Sequence, residues 1–123
     1  MIAGTVNASL EPILRVMVLG SGAQQEQIEA VIDTGYNGSL TLPSSIVSSL
    51  GLPFLGRDQG ILADGSVVSF DVYRATILWG GQLRVVEVEC NDATPLLGTA
   101  LLACQELTIK FVDGGSVHIN PMP

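Results

Sequence analysis

The residues best suited to chemistry are Asp33, Thr34 and Gly35, within the run Ala30-Val31-Ile32-Asp33-Thr34-Gly35-Tyr36-Asn37-Gly38-Ser39-Leu40. Val31 and Ile32 are apolar and β-branched, so they predict a buried strand that carries the Asp33 carboxylate into a turn bounded by Gly35 and Gly38. A carboxylate at the edge of a core is costly without a partner. Asp33 is therefore expected to accept hydrogen bonds from the loop amides or to share a proton with another acid. Asp, Thr, Asn and Gly also favour ordinary turns, but the apolar residues on both flanks argue against a turn that only faces water.

Other chemistries find little support. Serine hydrolysis needs a base, and the one histidine, His118, stands in a late apolar run with no Gly-x-Ser-x-Gly elbow in the chain. Cys90, Cys104 and His118 are widely and irregularly spaced with no Cys-x-x-Cys, so no metal site and no cofactor is expected. The two cysteines lie in apolar stretches and read as buried thiols. Gly20-Ser21-Gly22 is followed by Gln24 and Gln25 with no lysine, which is not a phosphate cradle.

Charge narrows the partners. Five basic and twelve acidic residues leave a net charge of −7, which repels phosphate backbones, so nucleic acid is not an expected partner. Val16 to Gly20 is flanked by Arg15 and by Gln24-Gln25-Glu26, far short of the roughly 18 continuous apolar residues that a membrane span needs. With free thiols and no secretory signal pattern, a cytoplasmic location is expected. The 123 residues read as one domain, 1–123, too short for two lobes that face each other across a cleft.

The elements that must hold Asp33 are mostly strands. Met1 to Ala8 and Ile13 to Leu19 are β-prone and end at Gly20-Ser21-Gly22, and Glu26 to Ile32 returns with Ile28, Ala30 and Ile32 on one face. Leu40 to Pro43 is extended. Pro43 near a start and Gly51 just past an end predict a two-turn helix held to the core by Ile46, Val47 and Leu50. Phe54 to Leu78 reads as a long hairpin with a two-residue turn at Asp64-Gly65, led out by Ser66 to Tyr73, and its small polar tip is free to move. Ala75 to Trp79 and Leu83 to Cys90 pair across Gly80-Gly81. Pro95-Leu96-Leu97-Gly98 is a short apolar strand, Thr99 to Gln105 a helix capped by Thr99, and Leu107 to Val112 and Val117 to Asn120 are the last strands.

This order of parts, with Ala30-Val31-Ile32-Asp33-Thr34-Gly35, the hairpin at Ala63-Asp64-Gly65, Pro95-Leu96-Leu97-Gly98 and Leu107-Thr108-Ile109-Lys110-Phe111, resembles a retropepsin-like aspartic protease subunit, in particular the short bacterial and archaeal members. The likeness covers nearly the whole chain. It implies a mainly all-β fold, a small closed or partly open β-barrel of the retropepsin (acid protease) type with two short helices. It also implies a homodimer in which Asp33 of each copy faces the other across one water. Two carboxylates so close cannot both ionise; the ionised one takes a proton from water, the protonated one donates to the peptide carbonyl, and a tetrahedral gem-diol forms.

By the same likeness Thr34 braces the paired loops, Gly35 admits the substrate backbone, Ala63, Asp64 and Gly65 fold over a bound peptide, and Leu96-Leu97-Gly98 backs the catalytic loop. The chain carries a single Asp-Thr-Gly motif, so one copy supplies half a site. It departs from the family pattern at Tyr36, where many members have a small residue, and at Pro121 and Pro123, which limit a shared terminal sheet. A rival from another class is a dimeric module of the same fold that binds peptides without cutting them.

Overall fold

Alternation fixes the first strands. In β2 (Pro12–Leu19) Leu14, Val16 and Val18 are buried while Arg15 is exposed, and in β3 (Gln25–Ile32) Ile28, Ala30 and Ile32 are buried. The two pair antiparallel from Ile13 opposite Val31 to Leu19 opposite Gln25. A computed structural model describes all residues, 1–123. The remaining elements are β1 (Ile2–Val6), β4 (Leu40–Leu42), α1 (Ser44–Leu50), β5 (Phe54–Ile61), β6 (Val67–Trp79), β7 (Gln82–Cys90), β8 (Leu96–Leu97), α2 (Thr99–Leu102), β9 (Gln105–Ile109) and β10 (Ser116–Pro121).

Six of the strands close into a ring in the order β6-β7-β4-β8-β3-β2, because Val18 and Leu19 of β2 pair back onto Ile77 and Thr76 of β6. Closure removes the sheet edges that would otherwise seek partners. Leu14, Leu40, Ile77, Leu97 and Leu101 are fully buried in one core cluster that fills the ring. Each such side chain contributes about 1.5–3 kcal/mol through the apolar surface it removes from water. Outside the ring stand two extensions. The β5–β6 hairpin projects from one end, and β1, β10 and β9 form a terminal ladder, β1 joining β2 only through Thr5 opposite Ile13 and Val6 opposite Pro12.

Several expectations are corrected. Ser66 to Tyr73 and Ala75 to Trp79 are one continuous strand, β6, which pairs with β5 along its first part and with β2 at Thr76 and Ile77. The second helix stops at Leu102, and Gln105 already belongs to β9, because Cys104 turns the chain with φ of 62°. Cys104 is exposed and Cys90 half-buried, so neither is the buried thiol expected. The terminal strands pair within the chain, β1 with β10 from Ile2 opposite Ile119 to Thr5 opposite Ser116. Pro121 tolerates this position because its missing N–H falls beyond the end of β1.

Helix α1 begins at Ser44 after Pro43, as the sequence indicates, and ends at Gly51. Its start is capped from a distance: the Ser44 N–H and Oγ–H both donate to Asp92 Oδ1, each at 2.8 Å. These two bonds, the backbone one first, hold the Asp92 carboxyl below the usual range.

Candidate active site

Asp33 is the first residue past β3, and the strand's neighbours hold it in place. β8 runs parallel to β3, Val31 opposite Leu96 and Ile32 opposite Leu97, and antiparallel to β4 at Leu40. The chain thus leaves β3 at Asp33, turns through Thr34–Ser39 and returns as β4 on the far side of β8. Thr41, a buried polar residue of β4, accepts the Leu96 N–H on its Oγ1 at 2.8 Å and ties the two strands together.

Within the loop three hydrogen bonds hold Asp33. The Asp33 N–H donates to the Leu97 carbonyl at 2.9 Å, the Tyr36 N–H to the Asp33 carbonyl at 3.1 Å, and the Gly35 N–H to Asp33 Oδ1 at 2.9 Å. The last bond is the loop-amide bond expected for this carboxylate. Asp33 is half-buried while Thr34 and Gly35 are exposed, so the acid has a fixed base and an open face. Gly98 N–H donates to the Ser39 carbonyl at 3.0 Å, and Leu97 and Gly98 do back the loop.

Helix α2 is capped by this loop and not by its own first residue. Gly98 occupies the cap position without a side-chain bond; the Thr99 and Ala100 N–H groups donate to the Tyr36 and Gly38 carbonyls at 2.9 and 3.2 Å. Thr99, expected to cap the helix, donates its Oγ1–H to the Tyr36 carbonyl at 3.3 Å instead.

Sequence reasoning placed Gly35 and Gly38 as hinges of a sharp turn, but neither has positive φ. Space is the reason for glycine at 38 and 98. The Tyr36 ring lies over both: a Cβ on Gly38 would sit 2.5 Å from Tyr36 Cζ, and one on Gly98 would sit 2.6 Å from Tyr36 Cδ2 and from the Tyr36 carbonyl, and closer still to the Gly38 carbonyl. Tyr36 is therefore a structural part of the loop that its position beside Gly35 did not announce. Its hydroxyl is buried without a hydrogen-bond partner. Glu89 of β7 stands near enough to act on it electrostatically but outside hydrogen-bond geometry, and burial, then this carboxylate, push the phenol far above its usual value. The Glu89 carboxyl is raised by burial first, the nearby Tyr36 hydroxyl opposing this and Asp58 and Glu87 adding to it.

The hairpin tip is a three-residue loop, Ala63-Asp64-Gly65, and not the two-residue turn expected. Gly65 N–H donates to the Leu62 carbonyl at 2.9 Å and Leu62 N–H to the Ser66 carbonyl at 2.8 Å, with Gly65 at φ of 85° as this loop type demands. Asp64 Oδ1 accepts the Ser66 Oγ–H at 2.6 Å and N–H at 2.9 Å, which lowers its pKa. All these bonds are internal to the tip. The hairpin behind it exposes Ile61 opposite Val67 on one face and Val68 on the other, with Leu62 exposed beside the tip.

Cys90, Cys104 and His118 lie at the end of β7, after α2 and within β10, and no three metal-ligating side chains cluster anywhere. No helix is long and apolar enough to cross a membrane. A concavity lies over Ala3, Thr5, Ile13 and Arg15, where β1 and β2 part, and neither it nor four others on the surface include Asp33. One copy of the chain presents its Asp33 loop on an open surface.

The architecture is shared with a known structure. The solution structure of simian foamy virus (mac) protease superposes with a TM-score of 0.52 at 18% identity, covering 74% of this chain and 91% of that one. At this identity the likeness is one of fold. The mainly β, ring-forming arrangement with two short helices is that of a retroviral protease. No protein-family model matches the chain, and no curated protein matches it in sequence.

Proposed function

We propose that the chain is an aspartic endopeptidase of the retropepsin type, akin to the short bacterial and archaeal members, that works as a homodimer with one Asp33 from each copy. The observation that carries this reading is the Asp33 loop itself. It offers a carboxylate held by the Gly35 N–H, on a backbone whose own N–H is tied to the Leu97 carbonyl, open on one face, with no second Asp-Thr-Gly in the chain to complete it. A second copy supplies the missing acid, and the two share one proton because like charges at that spacing cannot both be ionised. The ionised Asp33 then removes a proton from the attacking water while its protonated mate donates to the peptide oxygen.

The other roles follow from exposure. Thr34 is free to meet its counterpart, Gly35 leaves room for the substrate backbone, and the hairpin carrying Ala63, Asp64 and Gly65 lays exposed apolar side chains over a peptide. The substrate is a peptide or protein segment held in extended form; no nucleic acid, metal or cofactor enters the scheme, and the chain works in the cytoplasm. The exposed apolar side chains of this hairpin, Ile61 and Val67 among them, would equally grip a peptide that is never cut, so the test must separate binding from cleavage. Digestion of a peptide library at mildly acid pH should yield cut products with the wild type and none with Asp33→Asn. Equal cleavage by both would end the proposal.

A further inference from the structure

The proposed function needs a second copy but leaves open where the copies join, and the terminal strands that could interleave are already paired within one chain. The two end strands of the sheet, β5 and β9, each leave one edge unpaired along its whole length. β5 is broken by a bulge between Phe54 and Gly56, and its Arg57 is already held by Asp71 at 3.1 Å. β9 is regular, and it follows directly from α2, whose first amides grip the Asp33 loop.

The ladder to β10 decides which groups β9 has left. Lys110 N–H donates to the Ser116 carbonyl and Met122 N–H to the Cys104 carbonyl, with Thr108 opposite His118 and Glu106 opposite Asn120 between them. The even-numbered residues thus face β10. By the alternation of an antiparallel ladder, Gln105, Leu107 and Ile109 turn their N–H and C=O groups to the open edge. Two such edges can pair about a two-fold axis only in registers that set odd residue against odd residue.

One of those registers is written in the sequence. Glu106-Leu107-Thr108-Ile109-Lys110 is symmetric about Thr108: acid and base at the ends, apolar residues inside, a hydroxyl at the centre. Folded onto a second copy, it sets Leu107 against Ile109 and Glu106 against Lys110, twice over. Shifting the axis to residue 107 or 109 loses both charge pairs. Glu106 and Lys110 form no ion pair within the chain, both project from the exposed face, and Phe111 and Val112, 58% and 61% exposed, follow where the second copy would cover them. Charges on an edge strand ordinarily prevent pairing; here their arrangement favours one partner, the same strand reversed.

We infer that two copies of this chain join edge to edge through β9, antiparallel and centred on Thr108, making a six-stranded sheet of β1, β10 and β9 from each. The inference rests on the homodimer reading and adds its interface.

The test does not depend on activity: it is solution mass by light scattering on the full chain. The wild type should run at twice 12.9 kDa. Glu106→Lys and Lys110→Glu each replace two attractions with two repulsions and should weaken the dimer about thirtyfold, while the double reversal should restore it. In a Cys90→Ser, Cys104→Ser background, Thr108→Cys should cross-link spontaneously to the dimer, because a non-hydrogen-bonded pair brings Cα atoms to about 4.5 Å, within disulfide range. A dimeric wild type whose two charge reversals dimerise equally well, with no cross-link, overturns this interface and spares the homodimer. A wild type that is monomeric at every concentration overturns both.

Discussion

Gly98→Ala tests the packing behind the Asp33 loop, and its cost can be worked from contacts. With φ of −105° at Gly98, alanine meets no backbone penalty, so the whole effect is steric. The new methyl would sit 2.6 Å from Tyr36 Cδ2 and from the Tyr36 carbonyl, and closer to the Gly38 carbonyl. Those carbonyls accept the Thr99 and Ala100 N–H groups, so moving them out of the way breaks the cap of α2. Overpacking costs about 1–3 kcal/mol and two lost hydrogen bonds about 1 kcal/mol each, in all about 3–5 kcal/mol. For a chain of this length that is a fall in Tm of about 12–20 °C. Thermal melts followed by circular dichroism measure it, with Gly65→Ala as the comparison. Gly65 has nothing within 4 Å but φ of 85°, so alanine there costs only about 1 kcal/mol. A Gly98→Ala protein that melts within about 2 °C of wild type would refute the packing described for Tyr36 and Gly98.

Tyr36→Phe removes a buried hydroxyl that has no partner, so it should leave stability unchanged or raise it by up to about 1 kcal/mol; a clear loss in urea unfolding would show that the hydroxyl is bonded after all. Glu89 holds its proton more tightly folded than unfolded, so its contribution makes stability fall as pH rises from 4.5 through the higher folded value; Glu89→Gln should flatten that slope, and an unchanged slope would contradict it. Asp92 has the opposite sign: its folded pKa is depressed by Ser44, so its contribution is full above 3.8 and disappears as pH falls through the folded value. Asp92→Ala should therefore lower Tm more at neutral pH than in acid, and an equal loss at both would be the contrary result.

What could be read from the chain was what local chemistry writes. The apolar approach, the carboxylate and the return at Leu40 stand within one short run, and the alternation in β2 and β3 marks their faces without tertiary information. The ring needed more, since its closure depends on Val18 and Leu19 meeting Ile77 and Thr76, far along the chain. The helix caps were out of reach for the same reason: α1 takes its cap from Asp92, 48 residues away, and α2 from carbonyls at Tyr36 and Gly38. Arg74 looked like a break between two strands because β6 passes there from the company of β5 to that of β2. Tyr36 was visible only as a departure from a family pattern. The signal that could have placed it is the pair Gly38 and Gly98, which make room for one ring.

The central claim is that each active site takes one Asp33 from each of two chains, and mixing measures this directly. Wild type and Asp33→Asn chains are combined in equal amounts, allowed to exchange, and assayed for peptide cleavage at fixed total protein. If both acids are needed, only dimers with two wild-type chains cut, and activity should fall to about one quarter of that of pure wild type. Activity of about one half, in proportion to the wild-type chains present, would mean that each chain carries its own complete site.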